Sequence, residues 1–183
     1  VANPWEMHRT LWSAFPDGLK ESDERILWRL DTQRDGHGEV LVHSLGAPDW
    51  LKLLAKFPDY LREPADTKPY APAFAVSQLL RFRLRANVSV KRDGKRRAVT
   101  DAEGQMKWLA RMGERNGFTV QSVDLVDEGT RSFRKGEHQA QLSVVRFDGE
   151  LVVQDVAPFE RALREGIGHS KGLGLGLLSI APS

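Results

Sequence analysis

Residues 4–15 open with an Asn-Pro start signal and set Trp5, His8, Leu11, Trp12 and Phe15 at spacings of three and four. That pattern predicts an amphipathic helix. The apolar-rich runs RILWRLDT (25–32) and EVLVHSL (39–45), separated by DGHG, predict a β-hairpin turning at Asp-Gly. Helical period returns in PDWLKLLAKF (48–57), and prolines at 58, 64, 69 and 72 then forbid its continuation. Residues 58–73 read as a linker.

Beyond the linker, LLRFRLRANVSV alternates strictly, with Leu80, Phe82 and Leu84 on one face and Arg81, Arg83 and Arg85 on the other. Residues 101–116 start in an acidic turn, hold Met106, Leu109 and Met112 near one side and stop before Gly117, as a helix does. FTVQSVDLV, QAQLSVVRF and ELVVQDV are β-rich, and Asp148-Gly149 predicts a turn between the last two. PFERALREG has a proline at a helix entrance, and GLLSIAP closes as a short strand.

The fold class expected is therefore α+β. Residues 74–183 run strand, helix, strand, strand with a hairpin extension, helix, strand, the βαββαβ order of a ferredoxin-like unit. Residues 1–73, with the linker, give helix, strand, strand, helix, which is a second such unit lacking its opening strand. That strand is expected ahead of residue 1, because its absence would leave a sheet edge open.

Composition narrows the chemistry. The chain of 183 residues, 40% hydrophobic and 28% charged, is within the range of a folding globular protein. It has no cysteine, which excludes disulfides, thiolate zinc sites and cysteine nucleophiles and agrees with a reducing, cytoplasmic setting. No run reaches the roughly 18 apolar residues of a membrane span, and VANPWEMHRTLW does not follow a signal-peptide plan, so a soluble protein is expected. A net charge of +2 makes any polyanion site a matter of local clustering. LRFRLRANVSVKRDGKRR supplies the cluster, with Arg81, Arg83, Arg85, Lys91, Arg92, Lys95, Arg96 and Arg97 against Asp93. Such a strand can hold an RNA backbone by charge and stack its guanidinium planes on unpaired bases. Arg131, Arg134 and Lys135 form a second basic cluster, expected on a loop.

The ending GIGHSKGLGLGLLSIAP places glycines at 166, 168, 172, 174 and 176 around His169, Ser170 and Lys171. A run so rich in glycine lets backbone approach a ligand closely and turns N–H groups toward phosphate. It matches neither nucleotide-binding fingerprint, and too little chain follows to build the βαβ unit that a dinucleotide requires. Histidine is sparse. His8, His37, His43, His138 and His169 show no metal-ligand spacing, so neither metal nor cofactor is expected. His37 falls in a predicted turn and His138 in a polar loop, while His43 sits on a strand as a structural residue. His8, one turn after Trp5 on a helix, is the histidine with a catalytic claim.

NPWEMHRTLW, FRLRAN, KWLAR and GIGHSKGLGLGLLSIAP together, in that order, resemble the CasE-type CRISPR endoribonucleases over nearly the whole chain. The resemblance implies two ferredoxin-like domains, 1–73 and 74–183, with the glycine-rich loop 166–176 in the second. It implies cleavage of precursor CRISPR RNA at the base of the repeat hairpin, with the product kept by a subunit of the Cascade complex that contacts other subunits, a backbone subunit among them. His8 carries over as the catalytic histidine, and Lys171 is a further catalytic candidate. The RNA contacts expected are Arg81, Arg83, Arg85, Lys91, Arg92, Arg131, Arg134, Lys135, Gly168, His169, Ser170 and Lys171. The family commonly has tyrosine three residues before the histidine, where this chain has Trp5. An indole N–H can donate a hydrogen bond but cannot act as a base, so Trp5 is left a positioning role.

Overall fold

Asn3 starts the first helix by accepting, through its side-chain oxygen, the backbone N–H of Trp5 at 2.9 Å, and Pro4 fills the first position, where no donor is needed. This is a computed structural model describing residues 3–16, 25–32, 38–135 and 137–183. Helix α1 (Pro4–Trp12) buries Met7, Thr10 and Leu11. It ends earlier than its apolar period predicts, because Ser13 bonds back to the Thr10 carbonyl at 2.6 Å and Pro16 disfavours helix at the residue before it. Ala14 and Phe15 are still buried, but in a turn.

Strands β1 (Leu27–Thr32) and β2 (Gly38–His43) pair antiparallel from Leu27↔His43 to Thr32↔Gly38. Residues 33–37, with the predicted Asp-Gly turn and His37, lie outside the described residues. Helix α2 (Trp50–Lys56) is capped by Asp49, whose carboxylate accepts the N–H of Lys52 at 3.0 Å. No helix or strand forms in 58–73, as the prolines require.

In the second part, β3 (Leu79–Asn87) buries Leu80, Phe82, Leu84 and Ala86 and turns its arginines the other way. The predicted strand does not run on to Val90. After Val88, whose N–H still donates to the Ser143 carbonyl at 3.3 Å, the chain begins a separate hairpin, β4 (Ser89–Arg92) and β5 (Lys95–Ala98), turning at Asp93 and Gly94, both at positive φ. Helix α3 (Ala102–Arg115) follows, capped by Asp101.

Two expectations fail in the next segment. Strand β6 (Phe118–Lys135) continues through the segment expected as a basic loop, so Arg131, Arg134 and Lys135 stand on a long ribbon with β7 (His138–Val153). His138 accordingly begins a strand. Asp148-Gly149 makes no turn: β7 is continuous, and Gly149 lies where β6 shifts register between Val120 and Ser122. A Cβ at Gly149 would be 2.0 Å from the Ser122 carbonyl oxygen. Glycine here accommodates a bulge in the neighbouring strand.

Helix α4 (Val156–Glu165) and β8 (Leu178–Pro182) complete the chain. The sheet order is β6-β7-β3-β8 with every neighbouring pair antiparallel. Trp108 and Leu109 of α3 and Phe159, Ala162 and Leu163 of α4 share one core with Phe82, Leu84, Phe147 and Leu151 of the sheet, so both helices cover the same face. The opposite face meets β1. There the buried Arg29 binds Asp31 at 3.0 Å and the Ser179 hydroxyl at 2.7 Å, and Asp31 lies 3.9 Å from Arg83. No helix among the described residues is long and apolar enough to cross a membrane.

Candidate functional site

The glycine-rich segment folds back on itself above the end of β3. The Gly176 carbonyl accepts the N–H of Ile167 at 2.8 Å, and the Gly176 N–H donates to the Arg85 carbonyl at 2.7 Å. Between these anchors Ser170 adopts a left-handed conformation, and Lys171–Leu173 make one turn of 3-10 helix. Asn87, the last residue of β3, bridges to His169 and donates its side-chain amide to the Ser170 hydroxyl at 3.1 Å. The arginine strand and the glycine loop are thereby one structure.

Helix α1 brings His8 to that loop. A Cβ built on Gly172 would lie 3.2 Å from His8 Cε1 and 3.5 Å from each ring nitrogen, so the loop backbone comes close to the imidazole and a side chain there would press on the ring. Trp5 and Trp12 flank the ring, at centroid separations of 5.8 and 5.7 Å. Trp5 also packs against the cluster of Phe133, Leu142, Val144 and Leu175, along the outer part of the β6–β7 ribbon. The side-chain amide of Asn3 donates to the Arg134 carbonyl at 3.1 Å and ties the start of the helix to that ribbon.

Arg25, Gly168, His169, Ser170, Lys171 and Gly172 line a pocket of about 330 Å³. Burial and the neighbouring Arg25 charge hold the Lys171 ammonium below the usual lysine range, against a smaller opposing pull from Glu165. His169 is lowered as well, by partial burial first and then by Arg96 and Lys171. Cations in these positions repel one another, and an anionic ligand would relieve that repulsion. The pocket is thus built for negative charge and not for an apolar ligand.

The remaining candidates divide by how their charge is used. Arg83 is paired with Asp148, which also takes Arg146 at 2.9 Å, and its guanidinium is raised by the Asp148 bond despite burial. Arg85 binds Glu128 at 2.6 Å, and Arg131 lies 3.9 Å from that same carboxylate. Arg81 is exposed and donates to the Pro182 carbonyl at 2.9 Å. Lys91, Arg92, Lys95, Arg96, Arg97 and Arg134 are exposed. The structure thus gathers His8, Trp5 and 168–172 at one place and sets Arg83 and Arg85 in an ion network on the sheet. It adds Arg25, Trp28 and Asn87, which sequence reasoning did not single out, and Arg96, named there only as a member of the basic cluster. Of these, Asn87 and Arg96 carried a signal, since both fall in segments already marked as basic or family-like. Trp28 sits in a run that reads simply as core. Among the described residues no group of three or more acidic or histidine side chains is placed to hold a metal ion.

The family model described as "CRISPR associated protein" matches residues 1–182. The CRISPR-associated endoribonuclease Cse3 of Thermus thermophilus is 39% identical over 197 residues, covering all of this chain and 92% of Cse3. This chain belongs to the CRISPR-associated family, in its CasE (Cse3) type. The Cascade subunit CasE of Escherichia coli K12 is a more distant relative of this CasE-type chain, at 26% identity over all of it and 96% of CasE. Among solved structures, Cse3 bound to a 19-nucleotide RNA superimposes with a TM-score of 0.86 at 38% identity, covering 99% of this chain and 91% of that one. A Thermus thermophilus Cse3 complex with an RNA representing a pre-cleavage state gives 0.83 at 37%, covering 98% and 89%. The CasE-type assignment agrees with the α+β fold.

Proposed function

We propose that the chain binds and cuts CRISPR repeat stem-loop RNA by metal-independent transesterification, and that it stays on the product as a subunit of a cytoplasmic Cascade assembly, in contact with a backbone subunit. The observation that carries this reading is the His8 imidazole set against the Gly172 backbone of a loop bearing His169, Ser170 and Lys171. RNA brings its own nucleophile. The 2′-hydroxyl attacks the adjacent phosphorus, the bond to the 5′-oxygen breaks, and the proton lost from the first oxygen is matched by one gained at the second. The products are a 2′,3′-cyclic phosphate and a 5′-hydroxyl. An imidazole with a pKa near 6.5 serves either transfer at neutral pH. Lys171, Arg25 and the loop N–H groups supply the positive field for the charge that develops on phosphate.

On this reading residues 1–73 and 74–183 are tandem ferredoxin-like domains. The strand order of the second and the relatives' likeness support that division. Arg81, Lys91, Arg92, Arg131, Arg134 and Lys135, with Gly168, His169, Ser170 and Lys171, contact RNA. Arg83 and Arg85 act on it through the sheet's ion network, and Trp5 positions the helix. The test is single-turnover cleavage of the host repeat RNA. Cleavage is expected to persist in EDTA and to stop when the scissile nucleotide lacks its 2′-hydroxyl; loss in EDTA, or cutting of the deoxy substrate, would refute the scheme.

A second reading is a subunit that holds the hairpin without cutting it. The place usually occupied by tyrosine holds Trp5, whose indole is packed against Phe133 and Leu175 and brings no hydroxyl. A shift of the RNA in a binding assay with no product formed would favour this alternative.

A further inference from the structure

Trp28 of β1 lies under both parts of the candidate site. It is 2% exposed and shares a core cluster with Met7 and Leu11 of α1, which bracket His8 along the helix. Its indole N–H donates to the Gly172 carbonyl at 3.3 Å, on the residue that faces the imidazole. Its six-membered ring lies against Gly174, which adopts φ +76°, and a Cβ there would come within 2.6 Å of the ring. One rigid side chain thus sets the height of the helix and the height of the loop.

From this we infer that Trp28 is a positioning residue for cleavage: it fixes the separation between His8 and the Gly172 backbone, and with it the placing of the phosphate held by the Lys171 turn. The inference rests on the His8 reading above. The indole touches neither RNA nor the reacting atoms; it acts through the loop and the helix. A buried aromatic of this size would be needed for stability in any case, so the N–H is what distinguishes the role. Phenylalanine keeps most of the packing and removes the donor, leaving the Gly172 carbonyl free to tilt.

The experiment compares wild type, Trp28→Phe, His8→Ala and the double variant. It measures RNA affinity, single-turnover cleavage against pH and thermal stability. Trp28→Phe is expected to cut about tenfold to a hundredfold more slowly, with affinity little changed, since small misplacements act on the chemical step. In the His8→Ala background the same substitution is expected to add nothing, because no positioned imidazole remains to lose. A native rate for Trp28→Phe, a loss confined to affinity, or an equal loss with and without His8 would each overturn the inference. A native rate for His8→Ala would overturn the underlying reading and this inference with it, whereas an inactive His8→Ala beside a fully active Trp28→Phe rejects only the latter. Should Trp28→Phe fail to fold, replacing Trp28 by the isosteric benzothienylalanine, in which sulfur stands for the N–H, keeps the packing, removes the donor and is judged by the same outcomes.

Discussion

At the scale of single residues the site depends on side chains that are absent as much as on those present. A Cβ on Gly172 would crowd the His8 ring, at 3.2 Å from Cε1, and push it by a few tenths of an ångström. Gly172→Ala should therefore depress single-turnover cleavage while leaving RNA affinity close to that of the parent, because a displaced imidazole still permits electrostatic binding. His8→Ala should lower the rate by about 10²–10⁴-fold, the usual contribution of a positioned acid or base, with the RNA still retained. Equal loss of rate and affinity in either variant would point to a damaged loop and not to a missing proton carrier. The catalytic claim of His8 came from the phrase around it, and its place on a helix was legible in the sequence through its register. Trp28 was not, because a buried tryptophan on an apolar strand has the same pattern whether or not its N–H holds a functional carbonyl.

At the scale of elements, strand alternation in 79–87 and helical period in 101–116 placed β3 and α3 correctly, since each buries a face at its own period. The β6–β7 ribbon was hidden. Its polar, glycine-containing stretch 127–135 looks like a loop because both of its faces lie largely outside the core, which removes the alternation that marks a half-buried strand. Asp148-Gly149 misled for a different reason. Asp-Gly favours a turn, but here the glycine is required by a backbone contact across the sheet and the aspartate by Arg83 and Arg146. Gly149→Ala should thus destabilise the fold by about 1–3 kcal/mol, the range for overpacking a filled site, measurable by urea denaturation. A variant as stable as the parent would show that the bulge at Val120–Ser122 relaxes at no cost.

At the scale of the whole molecule, bonds from β1 and β2 reach the second part at several points: Trp28 to Gly172, Arg29 to Ser179 and His43 to Leu163. His43 donates from Nδ1 to the Leu163 carbonyl at 3.1 Å, with its ring nearly perpendicular to that of Tyr70. Burial pushes its pKa below 6.5, more strongly than the carbonyl raises it. The folded state then holds fewer protons than the unfolded state between the lowered value and 6.5. This contribution to stability is complete above pH 6.5 and is lost as the pH falls through that window. Thermal melts from pH 7.5 to 5.5 should show a steeper decline for the parent than for His43→Gln, and parallel curves would remove His43 as the cause.

The carboxylates that hold Arg83 and Arg85 also govern how RNA association responds to ionic strength. Binding to a duplex releases the counterions condensed on each phosphate that the protein neutralises, with a slope of about −0.9 in log K against log salt per phosphate. A guanidinium paired with Asp148, Asp31 or Glu128 has less unmatched charge to offer a phosphate than an open one, although each of these carboxylates is shared with a second arginine, so the number of arginines on β3 overstates the number of ions exchanged. Arg92→Ala, on the open β4–β5 hairpin, should flatten the salt slope by about one phosphate's worth. Arg83→Ala should change the slope by less than Arg92→Ala does and lower the melting temperature as well.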